Sequence, residues 1–417
     1  MIEIYDENQL TRAFLVSVDT GAFDVEISLR ELGELAETAG AEVIGSASQK
    51  RDSIDTATCI GEGRLEEIAE FCRANEVELL IFDYELTATQ TRNIEEVTEI
   101  RTIDRTTLIL DIFAGRARSR EGRVQVELAQ QRYRLPRLAG MGTAMSRLGA
   151  GIGTRGPGET KLEADRRHIR RRISALEEEL RELEKRRTRV RERRKKDNVT
   201  TVAIVGYTNV GKSTLLNALT DAGVLAENKL FATLDPTARA LTLPDGREVL
   251  LIDTVGLIRR LPHGLVEAFK STLEEAANAD LILHVCDLSS DEAQSQAEVT
   301  DQLLAELGCG DIPVIQVLNK CDLVENPPMI PARERAVLIS ARTGQGFDRL
   351  LQIIADTLPP TARRMKLLIP YGEEGFTARV RAEGKVFAEE FTEAGTRLDV
   401  LVDQKLLKAA AAYQIGD

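Results

Sequence analysis

Gly206-Tyr207-Thr208-Asn209-Val210-Gly211-Lys212-Ser213 fills the pattern GxxxxGKS, and its flanks are in keeping with it. Before it, Val202-Ala203-Ile204-Val205 reads as a buried strand. After it, Thr214-Leu215-Leu216-Asn217-Ala218-Leu219 reads as a helix. A loop of this kind turns its backbone N–H groups onto phosphates at the positive end of the helix that follows. The stretch therefore predicts a nucleotide-binding α/β domain. Gly206 through Ser213, with Thr214, are the residues expected around the phosphates.

Two further strand ends identify the base. Asp253-Thr254-Val255-Gly256 follows the apolar run Val249-Leu250-Leu251-Ile252. This places a carboxylate where it can hold Mg²⁺ through water, and the Gly256 N–H where it can meet a γ-phosphate. Asn319-Lys320-Cys321-Asp322 follows Val314-Ile315-Gln316-Val317-Leu318. A carboxylate at Asp322 can accept two hydrogen bonds from the ring N–H and amino group of guanine. Adenine has an acceptor at that ring nitrogen and leaves the carboxylate unmatched, a difference worth about 10⁴-fold in such sites. Ser340-Ala341-Arg342 closes a third strand, with the Ala341 N–H expected on the guanine carbonyl. In register with one another, these motifs read as a guanine site rather than as exposed loops.

The residues between the motifs bear on mechanism. After Gly256, where many GTPases carry a glutamine that orients water, the chain has Leu257. Leucine cannot polarise water, so intrinsic hydrolysis is expected to be slow, whether or not Leu257 also packs beneath the switch. In similar GTPases an asparagine at the position of Asn209 helps hold K⁺, so K⁺ is an expected activator. Phe231-Ala232-Thr233-Leu234-Asp235-Pro236-Thr237 forms the segment before the Asp253 strand. One of its hydroxyls completes the Mg²⁺ shell, with Thr233 preferred to Thr237. The expected catalytic set is Lys212, Asn209, Thr233 and Gly256, and the expected Mg²⁺ set is Ser213, Thr233 and Asp253. Phe231, Ala232, Thr233, Asp253, Gly256, Asn319, Lys320, Asp322, Ser340, Ala341 and Arg342 complete the GTP site.

Charge is unevenly distributed. The chain carries −13 overall, yet residues 116–196 hold 25 Lys and Arg against 11 Asp and Glu, a local charge of +14. A basic segment in an acidic chain points to a polyanion, although solvated helix surfaces are the usual fate of charged runs. Val124, Leu128, Gln131, Leu135 and Leu138 step by four and three. So do Ile169, Ile173, Leu176, Leu180, Leu183, Arg187 and Val190. That spacing predicts two helices pairing as an antiparallel hairpin, with its seam interrupted at Arg187 and weaker towards Lys196. The join, 139–160, holds seven glycines among 22 residues and predicts a basic, glycine-rich tip. With Tyr133 as the only aromatic residue in the segment, phosphate and shape recognition of folded RNA is favoured over base stacking. Arg155, Lys161, Arg166, Arg167, Arg170, Arg171 and Arg172 are the expected RNA contacts.

Residues outside the common GTPase core carry a resemblance to a known family. These are Phe231 to Thr237; Asp253-Thr254-Val255-Gly256-Leu257-Ile258-Arg259-Arg260-Leu261-Pro262-His263; Ile103-Asp104-Arg105-Thr106 through Gln130; and Gly151 through Lys161. The chain is similar over roughly residues 10 to 360 to the HflX family of translation-associated GTPases. Its departures are small, with Leu257 where an aromatic is frequent and Arg342 where lysine often follows Ser-Ala. The resemblance implies GTP hydrolysis with Mg²⁺, binding of GTP and GDP, and a large-ribosomal-subunit partner whose RNA the hairpin reaches. It also implies splitting or rescue of ribosomes stalled or idled by stress. The alternative is a passive RNA- or ribosome-binding silencing or assembly factor that uses GTP mainly as a structural switch.

The expected architecture is an α/β P-loop GTPase domain at 197–360. A small parallel α/β domain at 1–115 and the hairpin at 116–196 precede it, and a small α+β domain at 361–417 follows. Gly61-Glu62-Gly63-Arg64 reads as a turn before a helix, because GxG alone is weak as a nucleotide loop. Five cysteines without paired spacing indicate neither disulfides nor zinc, and three scattered histidines indicate no local metal site. The acidic start Met1-Ile2-Glu3-Ile4-Tyr5-Asp6-Glu7 is unlike a signal peptide, and no apolar run reaches the ~18 residues of a membrane span. The expectation is a cytoplasmic monomer.

Overall fold

A computed structural model of the chain describes residues 10–146, 157–197, 199–220, 230–231, 237–260, 274–324, 334–359 and 362–415. The chain divides into two compact units. One comprises Met1–Arg187 with Glu227–Asp235 and Arg259–Ser271; the other comprises Thr188–Ala226, Pro236–Ile258 and Thr272–Asp417.

In the first unit, strands β1 (Thr11–Asp19), β2 (Ala41–Lys50), β3 (Leu79–Phe82) and β4 (Arg101–Asp104) form a parallel sheet in the order β2-β1-β3-β4. The run Ala13-Phe14-Leu15-Val16 is buried throughout, as expected of a parallel strand covered on both faces. Helices α1 (Val25–Thr38), α2 (Glu62–Ala74), α3 (Ala88–Thr98) and α4 (Arg105–Arg116) supply the cover. Local chemistry starts them. The Asp24 carboxylate accepts from the Glu26 and Ile27 N–H groups, Thr87 and Gln90 form a capping box, and Asp104 caps α4. Gly61 is the residue before α2, in keeping with a turn there. Chain direction across the sheet reverses between β1 and β3. Their carboxyl ends therefore open a crevice of the kind that holds ligands in open α/β sheets.

Helices α5 (Arg120–Ser146) and α6 (Pro157–Lys196) form the hairpin. Val124, Leu128 and Leu176 are buried at its centre, with Ile173 and Leu180 packed against them. Helix runs further than the glycine count suggests. Between the glycines, Ala139, Met141, Ala144 and Met145 are strong helix formers, and Pro157 suits the first helical position. The join thus falls at 147–156, outside the described residues. The break expected at Arg187 is corrected as well. Its guanidinium is bonded to Glu121 of α5 at 2.6 Å, so a half-buried ion pair closes the seam where leucine would have.

In the second unit, β5 (Thr201–Gly206), β6 (Thr237–Thr242), β7 (Glu248–Asp253), β8 (Leu281–Asp287), β9 (Val314–Asn319) and β10 (Ala336–Leu338) form one sheet. Its order is β10-β9-β8-β5-β7-β6, parallel except for β6. Helices α7 (Lys212–Thr220), α8 (Ala293–Glu306) and α9 (Phe347–Thr357) accompany it. Beyond it, β11 (Ala362–Ile369), β12 (Lys385–Thr392) and β13 (Gly395–Asp403) form an antiparallel sheet over α10 (Glu374–Glu383) and α11 (Gln404–Ala410). Leu367, Val380, Leu398, Val400 and Leu406 fill that small core. Among the described residues, no helix is long and apolar enough to cross a membrane.

Candidate nucleotide site

The carboxyl ends of β5, β7, β8 and β9 bring the sequence motifs together. The loop from Gly206 to Gly211 joins β5 to α7, and two of its glycines are fixed by close approach. A Cβ on Gly206 would lie 2.3 Å from the Val285 carbonyl oxygen. One on Gly211, whose φ is +95°, would lie 2.4 Å from the Asn319 amide nitrogen. Asn209 is exposed at the loop tip with φ +62°, a conformation asparagine tolerates. Val210 and Tyr207 are buried beneath it.

Lys212 is buried, and its ammonium donates to the carbonyls of Gly206 at 3.2 Å and Tyr207 at 2.7 Å. Burial pushes its pKa down to about 8, with the Asp253 charge partly opposing. Ser213 Oγ donates to Asp253 Oδ2 at 2.7 Å, which joins the first turn of α7 to the end of β7. These are hard oxygen donors of the kind Mg²⁺ selects, so the pair fits the expected ion. Thr254 Oγ1 donates to the Ile204 carbonyl at 2.7 Å and pins the chain as it leaves β7. A Cβ on Gly256 would stand 2.9 Å from Thr208 Cα and 3.0 Å from Lys212 Nζ. Only glycine brings its N–H this close to the loop.

Leu257 is buried, as the packing alternative had it. Its backbone continues the loop contact: Leu257 N–H donates to the Gly206 carbonyl at 3.2 Å, and Thr208 N–H donates to the Leu257 carbonyl at 2.8 Å.

At the base end, Asn319 is buried and acts as a strut. Its amide donates to the Val210 carbonyl at 2.8 Å, and its oxygen accepts from the Ala341 N–H at 2.9 Å. The Ala341 N–H, expected on the guanine carbonyl, here satisfies buried Asn319. The strand also ends earlier than expected. β10 stops at Leu338, and Ser340-Ala341-Arg342 begin a turn in which Ser340 Oγ accepts from the Thr343 N–H. Lys320 has φ +63° and donates to Asp287 Oδ2 at 2.6 Å. Asp322 is exposed in the turn Cys321–Leu323, and Arg342 is exposed beside the Ser340 turn. Asp287 was not among the expected site residues. Its signal was a carboxylate at the end of the apolar run Leu281–Cys286, the same arrangement that marks Asp253. His284, within that run, is packed near Asp301 and Cys286.

Ala232, Thr233 and Arg155 lie outside the described residues. Phe231 is described, and its ring is buried edge-on against Phe113 within the first unit, at 4.5 Å between centroids. Of the expected RNA contacts, Arg167, Arg170 and Arg171 are exposed on α6 and Arg166 is half-buried. Lys161 lies in the first turns of α6. Arg172 is held by both oxygens of Glu127, at 2.6 and 2.7 Å, and so ties the two hairpin helices together.

Comparison with known proteins places the chain among GTPases. Residues 26–114 match a GTP-binding GTPase N-terminal family, 116–194 a GTP-binding GTPase middle region, and 201–320 a 50S ribosome-binding GTPase family. A GTPase HflX from Caldanaerobacter subterraneus is 55% identical over 384 residues, which is 92% of this chain and 89% of the relative. The GTPase HflX of Escherichia coli is 43% identical over 385 residues, 91% of this chain and 90% of the relative. The crystal structure of a GTP-binding protein from Sulfolobus solfataricus in complex with GDP is 24% identical, with a TM-score of 0.45. That similarity covers 84% of this chain and 98% of the archaeal one.

Proposed function

This chain belongs to the HflX family of GTPases, and from that premise we propose that it is a GTP-driven switch acting on the large ribosomal subunit. GTP hydrolysis on the subunit splits or rescues stalled or idle ribosomes under stress. The observations that carry the chemistry are the Ser213–Asp253 pair and the buried ammonium of Lys212. Ser213 and Asp253 would hold Mg²⁺, with Thr233 completing the set, and the ion would neutralise charge on the phosphates. Lys212 binds the β- and γ-phosphates, the Gly256 N–H meets the γ-phosphate, and Asp322 reads guanine while Asn319 holds the loops around it. The proposed division at 1–115, 116–196, 197–360 and 361–417 separates an α/β domain, RNA arm, switch and appendage in a cytoplasmic monomer.

The test is steady-state GTP hydrolysis with and without purified large subunits, beside Lys212→Ala. Strong stimulation that the substitution abolishes supports the reading; binding of GTP without stimulation sinks it. Buried Leu257 favours one rival, a passive ribosome binder, since it leaves no side chain there to orient water. The same assay separates the two.

Asn209, exposed at the loop tip, supports a second ion. Turnover is expected to be several-fold faster in KCl than in NaCl at matched ionic strength, with Asn209→Ala removing the difference. Equal rates in both salts would dismiss K⁺.

The exposed arginines of α6 support the RNA arm. Arg167, Arg170 and Arg171 changed together to alanine are expected to weaken large-subunit binding and flatten its salt slope by about 2–3 in log–log terms. Arg172→Ala is expected to act differently, by loosening the hairpin. An unchanged slope in the triple variant would remove this face from the interface.

A further inference from the structure

The crevice between the carboxyl ends of β1 and β3, where open α/β sheets hold ligands, is filled in this chain by one of its own side chains. Asp83, immediately after β3, is fully buried. Its carboxylate accepts from Ser17 Oγ at 3.3 Å, Ser28 Oγ at 2.6 Å, Arg105 at 3.0 Å and Arg260 at 2.8 Å. Arg260 belongs to the same compact unit as the sheet. Its guanidinium also donates to the Asp83 carbonyl at 2.6 Å and to Ser28 Oγ at 3.0 Å. It stacks 4.0 Å from the centroid of the Phe23 ring and 4.9 Å from that of Tyr84. Two neighbouring aromatic rings and the hydrogen-bonding edge of the guanidinium are thus engaged. Arg260 reaches this position with φ +52°, a conformation arginine rarely adopts.

Charge also calls for this occupant. Asp83, fully buried, faces both Arg105 and Arg260, and Arg105 is itself buried and also paired with Glu31. Burying that carboxylate without its second arginine would be costly. Arg260 stands four residues after Gly256, a tether of at most ~14 Å. Arg105 additionally donates to the Arg259 carbonyl at 3.1 Å.

We infer that Asp83, Ser28, Phe23 and Tyr84 form a guanidinium-binding site that captures Arg260 in the GDP state and releases it when GTP draws the Gly256 segment to its γ-phosphate. The inference rests on the reading of the chain as a GTP switch and adds how the N-terminal unit regulates it. Coupling of this kind is reciprocal, so holding Arg260 disfavours GTP relative to GDP by the same factor that GTP loosens the site.

The experiment uses the full chain and measures affinities for GDP and a non-hydrolysable GTP analogue, with hydrogen exchange in residues 25–28 and 82–86. Arg260→Ala is expected to shift preference about tenfold towards the GTP analogue. Methylguanidinium, filling the crevice in that variant, is expected to reverse the accelerated exchange there. Arg260→Lys is expected not to restore the wild-type ratio, because an ammonium cannot fork between Asp83 and Ser28. Ser28→Ala, which leaves both arginines paired, should give a smaller shift in the same direction. In the wild type, exchange in those segments is expected to be about tenfold faster with the GTP analogue than with GDP. An unchanged preference in Arg260→Ala, full restoration by lysine, or wild-type exchange indifferent to nucleotide would each reduce Arg260 to a static tie and overturn the inference. Failure of the GTPase reading registers separately, as a wild type that binds neither nucleotide, and it takes this inference down with it.

Discussion

Lys212→Ala is expected to lower kcat for GTP hydrolysis on the large subunit by on the order of 10²–10³, the range seen when one preorganised donor to a developing charge is removed. Phosphoryl transfer leaves the protein little covalent chemistry, so positioning and charge carry most of the acceleration. Lys212 is fixed before any phosphate arrives, because its ammonium is braced on the Gly206 and Tyr207 carbonyls. Two further readouts separate this from damage to the fold. A lysine whose pKa is lowered by burial destabilises the folded state at pH values below that pKa, where it is charged both folded and unfolded. That cost disappears only as pH rises past the unfolded value. The nucleotide-free variant should therefore melt no lower than wild type at neutral pH, while losing the stabilisation that GTP gives. In the wild type, kcat/KM reports the free enzyme and is expected to fall above pH about 8, where Lys212 loses its proton. Bound triphosphate favours the ammonium, so kcat should stay flat over the same range. A large drop in apo melting temperature, or kcat/KM flat to pH 10, would assign Lys212 a structural role instead.

What the sequence made legible, and what it hid, divides along chain distance. The phosphate loop, Asp253 and Asn319 could be placed because each follows an apolar strand, and a parallel strand of that length puts its next residue at the same edge of the sheet. The parallel N-terminal sheet was readable for the same reason. The hairpin's pairing could be read from its four-and-three spacing, but its length could not, since glycines scattered among Ala and Met do not stop a helix. Arg187 showed as an interruption because pattern counts polarity, whereas Glu121, 66 residues away, supplies its partner. Ala341 and Asn319 are 22 residues apart, and nothing local reveals that this N–H meets a buried amide oxygen. Asp83 and Arg260 are separated by 177 residues, and nothing local reveals that they pair.

Asp322→Asn is expected to exchange guanine for xanthine. In the proposed reading the carboxylate would accept from the ring N–H and the amino group of guanine, whereas an amide would meet that amino group donor to donor. Loss of GTP affinity by about 10⁴-fold, or ~5.4 kcal/mol, is the scale for a site built to pair a polar group that then goes unmatched. Xanthine carries a carbonyl where guanine carries the amine, so the same amide can donate to it, and XTP should bind where GTP no longer does. The fold should not notice. Asp322 is exposed in the turn after Lys320, and the strut that shapes the pocket is Asn319. Surface substitutions of this kind usually stay within about 0.5 kcal/mol. The decisive comparison is hydrolysis by the variant on large subunits with XTP and with GTP. Recovery with XTP, and not with GTP, assigns base selection to this one carboxylate and leaves Lys212, Ser213 and Asp253 working unchanged. If GTP remains preferred within tenfold of the wild-type ratio, Asp322 is not the reader. The next candidate would then be the Lys320–Asp287 ion pair, 2.6 Å long and one residue from the motif's asparagine.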